Sequence, residues 1–217
     1  MNTQAVDVSI ILPFRDRHEH LRAWMRAARH TFPPTTEVIV VEQSRHRAFN
    51  RGLLLNVGFN ESKGGRVIFH DCDLVPDDNL LCAYFGDWSG VTHFGCRFGR
   101  YNNAQSYFGG VVGFPRGLFP GFSNRYFGWG GEDDSLYSRC RHMPICRPAH
   151  GSYTDLEGLQ TPRDKLHTLA PGDKCMNKWE LRSSDDPKRD NHTAVQSVLE
   201  RRYDFIMNCK WIQCIVY

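Results

Sequence analysis

The first 76 residues alternate between three apolar segments and two segments of helical character. The apolar segments, 6–14, 36–43 and 65–76, have the length and continuous hydrophobicity of buried strands. Between them, 17–32 places apolar residues at helical spacing, and 50–65 predicts a second helix although two glycines weaken it. Strand–helix–strand–helix–strand order is typical of an α/β fold with a mostly parallel central sheet flanked by helices.

Polar side chains follow each of these strands where the strand ends. Arg15 follows the first, Glu42 and Gln43 close the second, and Asp71–Asp73 close the third. Ligands of parallel sheets bind at the carboxyl ends of the strands. We therefore expect these side chains to converge on one cleft.

The second half of the chain is less regular. Segment 84–131 is rich in glycine and aromatic residues, with a short strand predicted at 107–114. A helix is predicted at 132–142, with acidic residues in its first turn. Segment 151–190 is polar and interrupted by Pro and Gly, which predicts a long flexible loop. Segment 194–217 predicts a short helix and then a strand.

The length and composition of the chain limit the functions that can be expected of it. The 217 residues predict a single domain, 1–217. The net charge is only +3 and no basic stripe with interleaved aromatics occurs, so nucleic acid is not an expected partner. The apolar run near the N-terminus is too short for a membrane anchor or a signal peptide. The eight cysteines form no Cys-x-x-Cys pair, so a structural zinc site is not expected.

The Asp71-Cys72-Asp73 sequence places two carboxylates on the same side of an extended chain. Hard oxygen donors of this kind suit Mg²⁺ or Mn²⁺ carrying a diphosphate. An Asp-x-Asp sequence also occurs on ordinary protein surfaces. Its position at the end of the third predicted strand favours the metal interpretation.

Arginines follow two of the predicted strands. Arg15 and Arg17 come after the first strand, and Arg51 comes shortly after the second. Guanidinium groups match phosphate oxygens in geometry and charge, and Phe49 could stack on a base. The alternative is that these arginines are ordinary surface charges.

Residues 128–134 combine Gly-Trp-Gly-Gly with three successive carboxylates, Glu132, Asp133 and Asp134. Glycines permit close approach of a ligand, and Trp129 offers a flat apolar face with one N–H donor. Crowded carboxylates raise at least one pKa, which a general base requires. The alternative is a purely structural acidic helix start after a glycine turn.

Five segments together resemble the β-1,4-galactosyltransferase family, a group of inverting glycosyltransferases. They are PFRDRHEHL, FNRGLLLNVGF, FHDCDLVP, YFGGVVGF and FGWGGEDDSLYSR, in the order of the family and at roughly its spacing. The tail is also similar to the last helix and strand of the family. The resemblance covers nearly the whole chain and corresponds to the catalytic domain only.

The resemblance implies a GT-A nucleotide-sugar-binding fold, a UDP-sugar donor, a glycan or glycoconjugate acceptor, Mn²⁺ or Mg²⁺, and inversion at the anomeric carbon. It implies Asp133 as the general base and Asp73 as a metal ligand. Glu132, the second catalytic residue, would bind the donor sugar. The implied donor-binding residues are Pro13, Phe14, Arg15, Arg17, Phe49, Arg51, Asp71, Cys72, Asp73, Tyr107, Gly110, Trp129 and Glu132. The implied acceptor-binding residues are Trp129, Asp133 and Asp134.

Tyr107 has the place of the residue that favours galactose in the family, so the expected donor is UDP-galactose. UDP-N-acetylgalactosamine or another UDP-sugar is the alternative within the same fold. A sugar- or nucleotide-binding protein without catalysis is the alternative from another class. N-acetylglucosamine, glucose and xylose acceptors all remain open, as does the oligomeric state.

The chain departs from the family in the loop that supplies further metal ligands. The corresponding positions lie near Gly158 and Thr161, which cannot replace Met and His. Asp155, Glu157 or His167 could substitute for them. Family members usually face the Golgi lumen behind an N-terminal anchor. We therefore expect a soluble cytoplasmic protein if the chain is complete, and a Golgi lumenal domain if it is a fragment.

Overall fold

The computed structural model describes residues 5–101, 104, 106–174, 195–202 and 209–216. The strands are β1 Val8–Phe14, β2 Thr36–Gln43, β3 Arg66–His70, β4 Leu74–Pro76, β5 Val91–Thr92, β6 Val111–Pro115, β7 Ile145–Cys146, β8 Tyr153–Asp155, β9 Val195–Arg202 and β10 Cys209–Val216. The helices are α1 His18–Thr31, α2 Arg51–Glu61, α3 Asp78–Phe85, α4 Glu132–Cys140 and α5 Pro162–Thr168. Within these ranges, no helix combines the length and apolarity needed to cross a bilayer.

Eight of these strands form the central sheet, in the order β7-β5-β6-β3-β1-β2-β10-β9. Strand β1 pairs in parallel with β2 and β3, and β2 pairs in parallel with β10. Strand β6 runs antiparallel to β3, and β9 runs antiparallel to β10. The parallel centre confirms the predicted α/β class and brings the carboxyl ends of β1, β2 and β3 to one edge.

Apolar side chains cover both faces of the sheet. Successive residues of β1 point to opposite faces, so Ile10 and Ile11 belong to different core clusters. Helix α1 contributes Leu21 to the Ile10 side, and α2 contributes Leu54 to the Ile11 side. Gly58 lets α2 lie directly on β1, because a Cβ there would collide with a methyl group of Ile11. This close packing outweighs the low helix propensity of glycine.

The predicted elements of the first half are confirmed, with one difference. The segment 65–76 forms two strands, β3 and β4, instead of one. The backbone turns between them, where the N–H of Leu74 donates to the carbonyl oxygen of Asp71 at 3.3 Å. Strand β4 then leaves the central sheet and pairs with β8. The interruption places Asp71 and Asp73 at a turn.

The short helix predicted at the start of 194–217 is wrong. Val195–Arg202 is a strand that pairs with β10 along its outer edge. The backbone N–H and C=O groups of this segment form hydrogen bonds with a neighbouring strand. Local periodicity in the sequence does not reveal such a partner, so the segment could not be recognised as a strand. The predicted strand that follows is confirmed as Cys209–Val216.

The predicted loop 151–190 is only partly within the described residues. Its described part, 151–174, contains β8 and α5. Helix α5 starts with a capping box in which Thr161 and Asp164 exchange hydrogen bonds with each other's backbone. Residues 175–190 lie outside the described part of the chain.

Candidate active site

A cleft of about 380 Å³ opens between the segments that follow β1 and β3 and the start of α4. The predicted site residues that line it are Pro13, Arg15, Arg17, Phe49, Arg51, Asp71, Cys72, Asp73, Tyr107, Gly110, Trp129, Glu132, Asp133 and Asp134. Phe14 does not border the cleft. It is fully buried and packs edge-on against His18 and Trp211, because the alternation of β1 places it on the sheet face that α1 covers.

The turn after β3 presents Asp71 and Asp73 to the cleft. The N–H of Asp71 donates to the carbonyl oxygen of Gly110 at 3.2 Å, which anchors the turn. Arg51 Nε donates to Oδ1 of Asp71 at 2.7 Å, and Arg17 Nη1 donates to Oδ2 of Asp73 at 2.8 Å. The two aspartates are therefore paired with different arginines.

Arg51 joins the two acidic segments of the cleft. It opens α2, whose N-cap Asn50 accepts a backbone N–H with its side chain. Besides its bond to Asp71, Arg51 places Nη1 3.7 Å from Oε1 of Glu132 and donates from Nη2 to the carbonyl oxygen of Gly110 at 3.3 Å. Burial alone would lower the pKa of Arg51, but Asp71 and Glu132 raise it above its ordinary value. The side chain therefore stays charged and holds both segments together.

Helix α4 begins with the three carboxylates of the predicted site. Its N-cap, Gly131, has φ of 102°, a left-handed conformation that other residues rarely adopt. Burial and the adjacent Asp133 raise the pKa of Glu132 to about 8. Burial and Asp134 also raise the pKa of Asp133 above its ordinary value. The start of α4 can therefore hold or accept a proton nearer to neutral pH than an exposed carboxylate.

Tyr107 and Asp133 meet beside two glycines. A Cβ on Gly109 would lie 2.8 Å from Cε2 of Tyr107, and closer still to Oδ2 of Asp133. A Cβ on Gly110, which has φ of 76°, would lie 2.9 Å from Oη of Tyr107. The phenol and the carboxylate thus occupy space that exists because both residues are glycines.

One end of the cleft is aromatic and basic. The guanidinium carbon of Arg15 lies 5.1 Å from the ring centre of Phe49, a cation–π contact. The N–H of Gly128 donates to the carbonyl oxygen of Phe49 at 2.8 Å, and the N–H of Trp129 donates to that of Asp173 at 2.5 Å. These bonds tie the tryptophan segment to both neighbouring loops.

Glu157 binds three cationic side chains. Arg17 Nη2 lies 2.7 Å from its Oε1, Arg100 Nη2 lies 2.9 Å from its Oε2, and Lys165 forms a further ion pair. Burial alone would raise the pKa of Glu157, but Lys165 and Arg17 lower it to about 2. Arg17 therefore bridges two carboxylates, those of Asp73 and Glu157.

The three substitutes considered for the missing metal ligands lie in different surroundings. Glu157 lines the cleft. Asp155 accepts from Nε of Arg100 at 3.1 Å, and His167 is exposed on α5. Within the described residues, no group of three or more His, Cys, Asp or Glu side chains is arranged to hold a metal ion.

Asp73 nevertheless has the chemistry that a divalent cation requires. Burial and the neighbouring Asp71 raise the pKa of Asp73 to about 6, although Arg17 acts in the opposite direction. A cation that binds together with a diphosphate needs only one or two protein carboxylates, because phosphate and water oxygens complete its shell. The residues present fit such a cation through Asp73, with Glu157 on the other side of Arg17.

Some residues of the cleft wall are not predicted by the motifs. They are Phe98, Arg100, Tyr101, Lys165, Leu169 and Asp173. The aromatic and glycine-rich composition of 84–131 is the signal that could have indicated Phe98 and Tyr101. No comparable sequence signal marks Lys165, which is buried and forms an ion pair with Glu157.

The two ends of the cleft suit different chemistry. Arginine and aromatic side chains at one end match a nucleotide with its phosphates. The carboxylates of α4 at the other end match sugar hydroxyls and can accept a proton from one of them.

Family models account for most of the chain. The N-terminal region of glycosyl transferase group 7 matches residues 2–84, and the N-terminal domain of galactosyltransferase matches residues 90–159. β-1,4-Galactosyltransferase 2 of Cricetulus griseus is 39% identical over 82% of this chain and 54% of its own length. The chain belongs to the β-1,4-galactosyltransferase family. β-1,4-Galactosyltransferase 6 of Rattus norvegicus is 36% identical over 69% of this chain and 43% of its own length, so the chain spans about half of these relatives or less.

Solved structures confirm the GT-A fold for this member of the family. The catalytic domain of Drosophila β-1,4-galactosyltransferase 7 in complex with xylobiose superimposes with a TM-score of 0.75 at 24% identity, over 97% of this chain and 94% of that one. A mutant of the Drosophila enzyme, in complex with manganese, UDP-Gal and xylobiose, has a TM-score of 0.74 at 23% identity, with the same coverage of both chains.

Proposed function

We propose that this chain transfers galactose from UDP-galactose to a hydroxyl of a sugar acceptor. The configuration at the anomeric carbon would be inverted to give a β-linkage, and membership of the family favours a β-1,4 linkage. The observation that carries the proposal is the position of Asp133. Its carboxylate borders the same cleft as the Asp71–Asp73 turn, and burial raises its pKa. The named relatives and the UDP-Gal complex of the Drosophila mutant support the reaction class.

The nucleotide would lie at the aromatic and basic end of the cleft. Phe49 and Trp129 offer flat surfaces, and Arg15 already makes a cation–π contact with Phe49. Arg15 and Arg17 would bind the diphosphate with their guanidinium groups. Arg17 would have to loosen its bond to Asp73 to do so, since its Nη1 donates there.

A divalent cation, Mn²⁺ or Mg²⁺, would be held by Asp73 and would stabilise the negative charge on the departing UDP. The manganese complex of the Drosophila mutant supports this assignment. Arg17 and Lys165 lie next to this position and would add positive charge to the leaving-group side.

The reaction needs a single displacement. Asp133 would take the proton of the acceptor hydroxyl while that oxygen attacks the anomeric carbon, and the bond from this carbon to UDP would break with its electron pair going to UDP. Glu132 would accept hydrogen bonds from the donor sugar, and Asp134 would hold the acceptor. One displacement inverts the configuration, so no covalent nucleophile is required.

Tyr107 would limit the bulk of the donor sugar. Its hydroxyl group lies against Gly110 in the wall of the cleft, next to Asp133. A bulky ring at this place leaves less room for an N-acetyl group than for a hydroxyl. The proposal therefore favours UDP-galactose over UDP-N-acetylgalactosamine.

A donor panel tests the proposed function. UDP release is measured from UDP-galactose, UDP-N-acetylgalactosamine, UDP-glucose and UDP-xylose, with Mn²⁺ or EDTA and a mixture of acceptor sugars. The proposal predicts that UDP-galactose is turned over and that EDTA abolishes this turnover. It also predicts that proton NMR identifies the product as a β-galactoside. Turnover of another donor would contradict the role of Tyr107, and an α-linked product would contradict inversion. UDP binding without any turnover would favour a binding protein.

A further inference from the structure

Tyr101 lies face to face with Tyr107 in the cleft wall. The two ring centres are 3.6 Å apart and the ring planes differ by 5°. Backbone hydrogen bonds hold the described residues of this segment: the N–H of Tyr101 donates to the carbonyl oxygen of Phe98 at 3.1 Å, that of Ala104 to that of Tyr101 at 2.9 Å, and that of Tyr107 to that of Ala104 at 3.1 Å. The backbone of both tyrosines is therefore anchored beside the stack.

The other contacts of the Tyr107 ring are of a different kind. Gly109 and Gly110 border its edge and its hydroxyl group, where added Cβ atoms would collide with it. His93 and Phe98 approach in T-shaped and tilted geometries, with ring centres 5.7 and 6.5 Å away. Tyr101 thus covers a face of the ring and opposes its rotation about χ1.

We propose that Tyr101 is a positioning residue that sets donor selectivity by holding Tyr107 across the sugar end of the cleft. Without the stack, the Tyr107 ring gains rotamers that leave this space open. The inference rests on the proposed use of a UDP-hexose. UDP-galactose and UDP-N-acetylgalactosamine differ at a single ring position, where the second donor carries a larger N-acetyl group in place of a hydroxyl, so their relative affinities report on the space beside Tyr107.

The test compares Tyr101→Ala with the conservative variant Tyr101→Phe. Dissociation constants and kcat/KM are measured for both donors. Tyr101→Ala should shift the selectivity ratio toward UDP-N-acetylgalactosamine by about fivefold or more, the scale of a lost aromatic pair. Tyr101→Phe should keep the wild-type ratio, because the stack requires the ring and not its hydroxyl group.

A double variant separates positioning from a general loss of structure. Tyr107→Ala alone should shift the ratio in the same direction. Adding Tyr101→Ala to Tyr107→Ala should not change the ratio further, because Tyr101 acts through the ring that is already absent. A merely structural role would lower the use of both donors equally and leave the ratio unchanged.

Three results would overturn the proposal: an unchanged ratio in Tyr101→Ala, a shifted ratio in Tyr101→Phe, or a further shift in the Tyr107→Ala background. Tyr101→Leu, which keeps bulk without a flat face, replaces Tyr101→Ala if that variant does not fold. The ratio of dissociation constants tests the inference even if wild-type protein shows no transfer. Absence of transfer would contradict the proposed function alone.

Discussion

Replacing Gly109 with Ala perturbs the proposed base without adding or removing a charge. The new Cβ would lie 2.8 Å from Cε2 of Tyr107 and closer still to Oδ2 of Asp133, whereas ordinary contacts begin at 3.4 Å. Both side chains must therefore move by more than half an ångström. A displacement approaching 1 Å at a reacting group costs about 10²-fold in rate. We expect kcat for galactosyl transfer to fall by about 10²-fold in Gly109→Ala.

The assay for this variant measures UDP release at saturating donor and acceptor, together with UDP affinity by calorimetry. UDP affinity should change by less than about threefold, because Gly109 is not among the residues at the nucleotide end of the cleft. Gly117→Ala is the matched control, since an added Cβ there meets no described atom within 4 Å. A kcat within threefold of wild type in Gly109→Ala would refute the placement of Asp133 as the base.

Three further predictions concern charges in the cleft. Because burial and Asp134 raise the pKa of Asp133, the fall of kcat/KM with decreasing pH should begin above the ordinary aspartate pKa of 3.8. The pKa of Glu132 is raised from 4.5 to about 8 in the folded protein, so ionisation of Glu132 destabilises the folded protein as the pH rises through this range. Glu132→Gln, which cannot ionise, should therefore raise Tm at pH 8 while lowering activity. Arg17→Ala uncovers Asp73, so Mn²⁺ binding without nucleotide, followed by electron paramagnetic resonance, should tighten. The argument on Asp133 would be contradicted if kcat/KM fell only near the ordinary aspartate pKa. An unchanged Tm would contradict the argument on Glu132, and an unchanged Mn²⁺ affinity would contradict the argument on Arg17.

The part of the fold that could be predicted from the sequence depends on local patterns. Strands β1 and β2 are continuous apolar runs, and α1 shows helical spacing, so their types follow from burial alone. Strand β9 could not be predicted in this way, because its state depends on pairing with β10, which follows it in the chain. The split of 65–76 into β3 and β4 likewise depends on a partner, β8, far along the chain.

The motifs predicted most of the candidate site because they lie at strand and helix ends, where topology brings them together. Phe14 is the exception, since the alternation of β1 places it on the sheet face that α1 covers, where it is buried. The contacts that the motif residues make with distant parts of the chain could not be predicted from the sequence. Arg17 follows β1, yet one of its carboxylate partners, Glu157, comes from a loop that the sequence leaves unstructured. The stack of Tyr101 on Tyr107 is likewise a contact that no motif predicts.

The most direct test of the central claim is the rate of galactosyl transfer by Asp133→Asn at saturating UDP-galactose and Mn²⁺, measured beside UDP affinity. The substitution keeps the shape of the side chain and removes its ability to take a proton. The account predicts that transfer falls by at least about 10²-fold, the usual contribution of a general base, with UDP affinity nearly unchanged. Transfer at the wild-type rate in this variant would show that Asp133 is not the base and would contradict the proposed mechanism.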